Sequence, residues 1–337
     1  MTLLRLTPLA LSRSRFALSP LAETLGSMTV LRSHCHDPWL ASWHARHHDA
    51  FHAFLDADPF AKGLVALVSS TKWLPGFVAV PPTGGMLTAL EEELVHLPRT
   101  TDGEVRAELE DSLAHSWEQH DLSSWLTGRD WGARIADLFR QVWRNHVAPD
   151  WPRRRSLLER DVTYRAGLLA AYGWPRALQQ MSRRSAWVGA DAIRFSDQDF
   201  PDIVVGDDGM LFVPVSLPRG TWLCDAAPGR YAMVYPARGS GAVGRQSRPD
   251  RALEQLIGGG RAAILHELQR PATSSELAAH LGHSLGTVGG HLAVLRNADL
   301  IVGTRVGRRV VYRRTGAGDL LAGGDEGGVN PTGPLLA

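Results

Sequence analysis

Six histidines and one cysteine crowd a short segment: His34, Cys35, His36, His44, His47, His48 and His52. Imidazoles and thiols at this density are metal-ligand chemistry. His44 and His48 stand at i, i+4, which puts two ring nitrogens on one helix face. The chain has no H-E-x-x-H, however, and no second run carries Cys or His at ligand spacing. The segment therefore reads as a solvated or partly buried histidine-rich helix, with a metal sensor over His34–His52 as the competing reading. Glu91-Glu92-Glu93 reads as a charged helix face. Arg153-Arg154-Arg155 reads as a solvated helix start, with a phosphate or an acidic partner subunit as the sharper alternative. No phosphate loop occurs. Neither an enzyme nor a cofactor is predicted.

These side chains need elements to carry them. A length of 337 residues suggests two or three domains. Residues 1–185 read as a helical N-terminal domain for dimerisation and, potentially, effector binding. Ala107, Leu109, Leu113 and Trp117 mark one amphipathic segment, Ile135, Leu138, Phe139, Val142 and Trp143 a clearer one, and Leu157, Leu158, Val162 and Leu169 a third. Pro75–Gly85 reads as a loop. Short β-type runs then fill 186–236: Ile193–Phe195, Ile203–Val205, Leu211–Val215, Thr221–Leu223 and Tyr231–Tyr235. Asp207-Asp208-Gly209 is a hairpin signal. A small antiparallel meander packed on the helical domain is expected, then a linker over 237–249. Residues 250–315 form a C-terminal domain, and 316–337 read as a disordered tail. Ten of the eleven tryptophans precede residue 190 and read as core builders.

Composition narrows the setting. Two cysteines, Cys35 and Cys224, are too few for a disulfide framework, which favours a reducing cytoplasm. Arg5, Arg13 and Arg15 interrupt the apolar start, which argues against a secretion signal. No run approaches the roughly 18 apolar residues of a membrane span. Only Lys62 and Lys72 among the 36 basic residues are lysine. The net charge of +1 hides an asymmetry: residues 251–314 carry +5 and the rest −4. A basic module on a mildly acidic body fits nucleic-acid binding at one end.

That basic module has a tight pattern. Ala252, Leu253, Leu256 and Ile257 fit a first helix, broken by Gly258-Gly259-Gly260. Ala263, Ile264, Leu265 and Leu268 fit a second. Thr273 or Ser274 can cap a third, in which Leu277, Ala278 and Leu281 face inward. Gly282 suits a tight left-handed turn, and Ser284 can cap the next helix. Its buried stripe is Leu285, Val288, Leu292 and Leu295, leaving the other face for a major groove. Ile301-Val302 and Val310-Val311-Tyr312 bracket Gly307-Arg308-Arg309 as an Arg-tipped hairpin, a wing. The fold class is thus mainly α with a small antiparallel β section and a C-terminal winged helix-turn-helix (α+β).

From Ser274 to Thr315 the run SSELAAHLGHSLGTVGGHLAVLRNADLIVGTRVGRRVVYRRT resembles the ArsR-type winged-helix repressors. The upstream runs RFALSPLAETLGS, WLPGFVAVPP and YPARG are similar to a long actinobacterial subgroup with an extended N-terminal domain. The resemblance implies a recognition helix over Ser284–Ala298. The contact set it implies is Thr273, Ser284, Gly286, Thr287, Gly289, Gly290, His291 and Arg296, with Arg305, Arg308 and Arg309 on the wing. Gly289-Gly290 departs from the family, which carries base-reading side chains there. The implied function is a bacterial transcription regulator, a homodimeric repressor on double-stranded DNA with no membrane; the resemblance brings no ligand, and a small-molecule effector of unknown identity is expected because the body is larger than DNA binding requires. A winged helix retained for protein contacts, with weak DNA binding, is the alternative that Gly289-Gly290 favours.

Overall fold

The computed structural model describes residues 2–33, 35, 37, 39–178, 181, 186–189, 191–196, 202–217, 221–226, 229–238, 251–268, 271–306 and 309–322. Its contacts divide into two units, Met1–Arg245 and Gln246–Ala337.

The first unit opens with β1 (Thr2–Leu6), α1 (Pro8–Arg13) and β2 (Arg15–Phe16). Helices follow: α2 (Pro20–Leu31), α3 (Ala41–Ala57), α4 (Pro59–Ser69), α5 (Leu90–Leu94), α6 (Asp102–Ala114), α7 (Leu122–Trp125), α8 (Trp131–Val142), α9 (Trp151–Tyr172) and α10 (Trp174–Leu178). Then come β3 (Ala186–Val188), β4 (Ala192–Ser196), β5 (Ile203–Val205), β6 (Met210–Val215), β7 (Trp222–Ala226) and β8 (Arg230–Pro236). Ser19 and Asp58 cap α2 and α4, each with proline in the first turn. Thr101 and Glu104 close a capping box on α6.

The expected antiparallel meander gives way to two mixed sheets, ordered β3-β4-β1-β5 and β2-β6-β8-β7. β1 runs parallel to β5, β2 to β6, and β6 to β8. The chain turns at Asp207-Asp208-Gly209, but β5 and β6 on either side of it enter different sheets, so no hairpin forms. The reason lies in the side chains of β6 and β8. Val213, Val215, Ala232 and Val234 face the helical core, while Met210, Phe212, Met233 and Tyr235 join Leu4, Leu6, Ile193 and Val205 of the other sheet. Strands apolar on both faces need cover on both faces. Helices cover one side of this sheet, and the β1-containing sheet covers the other.

The arginine run is a solvated helix start only in part: Arg153 is exposed and Arg155 half-buried, but Arg154 is not. Arg154, Leu157, Leu158, Asp161 and Arg165 form the buried stripe of α9. Arg154 is fully buried, pairs with Glu23 at 2.8 Å and Asp150 at 3.2 Å, and lies 4.3 Å over the Trp43 ring. Glu23 also accepts from Ser216 N and Ser216 Oγ. One turn-pair later, Asp161 accepts from Arg165 Nε, Tyr235 Oη and Arg238 N. Two buried polar networks thus tie α9 to α2 and to the β6-containing sheet. Each carboxylate is met by several donors, which is the condition under which buried charge is tolerated.

The second unit contains α11 (Arg251–Ile257), α12 (Gly259–Glu267), β9 (Ala272–Thr273), α13 (Ser274–Leu281), α14 (Leu285–Asn297), β10 (Ile301–Val306), β11 (Arg309–Arg314) and α15 (Gly316–Leu321). Gly258 alone, at φ 83°, breaks the chain, and Gly259 and Gly260 already belong to α12. Gly282 ends α13 in the left-handed region at φ 67°. β11 lies between β10 and β9, both antiparallel to it. Ile264, Leu265, Leu277, Val288, Leu292, Leu295 and Ile301 form the core. The expected disorder from Gly316 is replaced, over Gly316–Leu321, by α15. Gly318 seats that helix: a Cβ there would stand 2.0 Å from Leu300 O. Residues 323–337, and the linker beyond Arg238 as far as 249, lie outside the described residues.

Candidate nucleic-acid interface

α13 and α14 meet through a four-atom logic of caps. Thr273 Oγ1 accepts from Glu276 N while Glu276 returns its carboxylate to Thr273 N at 2.8 Å. Ser284 Oγ accepts from Thr287 N at 3.1 Å and bonds the Thr287 hydroxyl at 2.8 Å. The caps fix where each helix begins, and Gly282 sets the turn between them. Val288, Leu292 and Leu295 then bury one stripe of α14, which leaves the opposite face to solvent.

The expected contact residues do not all share that face. Ser284, Gly286, Thr287, Gly289, Gly290 and Arg296 are exposed on α14 or at its cap. Thr273 is 6% exposed, and its hydroxyl is spent on the capping box, so it serves the fold rather than the surface. His291 is half-buried and packs on α12, where a Cβ on Gly260 would lie 2.7 Å from its Nε2. Its ring closes a helix crossing instead of facing outward. Leu285, expected inside, is 58% exposed, and Val294 is 48% exposed.

The β10–β11 hairpin brings Arg305 opposite Val310 and Val306 opposite Arg309. Arg305 and Arg313 are exposed and Arg309 is half-buried. Gly307 and Arg308 lie outside the described residues. Arg314 turns inward. It donates to Leu265 O at 2.6 Å and His266 O at 3.0 Å, answering the last carbonyls of α12. This strut was invisible in the sequence, where Arg313 and Arg314 look alike.

Other chemistry-bearing residues resolve differently. Gly282-His283-Ser284-Leu285-Gly286 does carry the G-x-S-x-G spacing of a hydrolase elbow, contrary to the expectation that the serines show none. That motif needs a strand before the serine. Here a helix precedes it, and the Ser284 hydroxyl caps α14. Ser70 Oγ approaches His120 Nε2 at 2.7 Å, but Ser70 is fully buried and bonds Ala66 O as a helix cap. His34 and His36 lie outside the described residues. His44 bonds Ser33 O and His52 bonds Leu31 O. His47 Nδ1 lies 3.2 Å from His146 Nδ1, which a π-helical turn at Trp143–Val147 delivers. Burial pushes His146 down to about 4, and burial with Arg46 and Arg154 lowers His47. Among the described residues no group of three or more His, Cys, Asp or Glu is placed to hold a metal ion.

Glu93 departs from the charged-face expectation. It is 4% exposed and accepts from Ser19 Oγ and Leu21 N, and burial raises its carboxyl to about 8. A cleft of ≈ 590 Å³ opens beside it in the first unit. Phe77 and Val80 give an apolar wall, and Arg99, Glu104, Glu108 and Arg230 give charged ones. Among the described residues no helix is long and apolar enough to cross a membrane.

Residues 259–302 match the family described as bacterial regulatory protein, arsR family. The matched span runs from the start of α12 through α14 into β10. No curated protein and no solved structure matches the chain. The family match covers the two helices and turn described above, and it points to a DNA-binding transcription regulator rather than to an enzyme.

Proposed function

We propose that the chain is a homodimeric repressor in which α14 enters the major groove of double-stranded DNA. The β10–β11 hairpin is the wing of a winged helix-turn-helix and lies along the flanking backbone. The observation that carries this reading is the exposed face of α14 behind a capped α13, within the residues that match the regulatory family. The arginines of 251–314 supply the positive charge that phosphates require. The first unit takes the input, and its cleft beside Glu93 is the candidate effector site. An effector acts there only by binding the DNA-competent and incompetent arrangements unequally.

A mobility-shift titration across salt tests the wing. Arg308→Glu with Arg309→Glu should weaken binding to every sequence. The slope of log affinity against log salt should become shallower by about 2, near 0.9 per lost phosphate contact. An unchanged titration removes the wing from the interface. The second reading, a module for protein contacts, is favoured by the bare Gly289-Gly290 face. A wild-type protein that retains no duplex at low salt would remove the first reading.

A further inference from the structure

The polar atoms at the start of α14 are already committed. The Ser284 and Thr287 hydroxyls bond each other, and Ser284 Oγ also takes Thr287 N. His291 lies over Gly260, off the outer face. Gly289 and Gly290 bring no side chain, and nothing stands within 4 Å of where their Cβ atoms would be. What the first helical turn presents beyond these is apolar: Leu285, at the first helical position and 58% exposed, with the exposed His283 ahead of the cap. The buried stripe of the helix is complete without Leu285.

We propose that Leu285 is a specificity-determining residue that reads the C5-methyl of thymine in the major groove, an inference that rests on the DNA-binding reading above. The first turn of a recognition helix is the part that reaches base edges. Thymine's methyl is the apolar group that the major-groove edge of a base pair offers. A glycine-lined face lets the helix backbone approach the bases more closely than longer side chains would allow. That approach brings a first-turn leucine to the depth of the methyl. Arg296, exposed in the last turn of the same helix, and Arg313 on the hairpin complement the phosphates on either side. Discrimination then comes from apolar contact, and hydrogen bonding serves the backbone.

The test uses the full chain to enrich duplexes from a random pool. Each thymine of the recovered site is then replaced by deoxyuridine, which removes the methyl and keeps the base pair. Replacing one thymine in both half-sites together should lose about sixteenfold in affinity, roughly fourfold for the one buried methyl of each half-site. Leu285→Ala should lose the same factor on the thymine site and nothing more on the uracil site. Its affinity for unrelated duplexes should stay at the wild-type value, which shows that the variant is folded. An enriched site indifferent to deoxyuridine overturns the inference and leaves DNA binding standing. So does a Leu285→Ala loss that is equal on both sites. A pool that yields no enriched sequence overturns sequence-specific DNA binding itself, and this inference with it.

Discussion

At the scale of single residues, the first unit stores two buried groups of opposite pH habit. Glu93 is raised to about 8 by burial, so the folded state holds its proton over a range where the unfolded chain releases it. Its stabilising effect is complete below the ordinary glutamate range, near 4.5, and is lost as pH rises toward 8. His146 works the other way. Its lowered value, about 4, means that the unfolded chain takes up a proton first, so stability is lost as pH falls from 6.5 toward 4. Between about 4.5 and 6.5 the two slopes oppose. Above 6.5 Glu93 acts without that opposition. Glu93→Gln keeps an acceptor for Leu21 N and reverses the Ser19 bond, its amide N–H donating to Ser19 Oγ. The melting temperature of the wild type should therefore fall between pH 6.5 and 8, and that of E93Q should stay level. In E93Q the acid loss due to His146, joined by His47 and His120, which burial also lowers, should emerge below pH 6.5. Parallel pH profiles for the two proteins would show that Glu93 is ionised in the fold.

At the scale of elements, α12 and α14 carry glycines in two kinds of neighbourhood. Gly289 and Gly290 face open space. Each costs roughly 1 kcal/mol relative to alanine in a helix interior. Gly289→Ala and Gly290→Ala should each slow hydrogen exchange in α14 by up to about fivefold, the equivalent of roughly 1 kcal/mol. Gly260 on α12 differs, since a Cβ there meets the His291 ring at 2.7 Å. Gly260→Ala should speed exchange in α12 and α14, and in a His291→Ala background the same change should slow it. A sign that does not reverse would separate His291 from the helix crossing. These elements were legible because their signals are local: Ser284 caps, Gly282 turns, and Val288, Leu292 and Leu295 recur at helical spacing. The sheets were not. β1 and β2 pair with strands nearly two hundred residues away, which no window on 186–236 contains. The charged members of the buried stripe of α9 were hidden for a related reason, since Arg154 and Asp161 look like solvent-facing charge until Glu23 and Tyr235 are brought to them, while Leu157 and Leu158 were legible. The outer face of α14 was half legible. Its glycines stood out, but the outward Leu285 looked like one more core residue.

At the scale of the whole molecule, charge and the proposed two-fold symmetry bear on what the protein can do. The +5 of residues 251–314 is carried by a unit that folds around its own core, and the −4 belongs to the rest. A monomer with one recognition helix reads only a few base pairs, too few to mark a site in a genome. The proposed dimer doubles that, at the cost of a fixed geometry. Its two α14 helices must meet half-sites on the same side of the duplex, about 34–36 Å or one helical turn apart. Once a site is recovered, light scattering on its complex should give two chains per duplex. Inserting about 5 bp between the half-sites turns one of them to the opposite side, since a helical turn is about 10–10.5 bp. Affinity should then drop to that of an isolated half-site, and the second chain should leave at nanomolar protein. If affinity is indifferent to the insertion, each chain binds alone. The dimer would then be removed from the mechanism, with α14 and the wing still in contact with DNA.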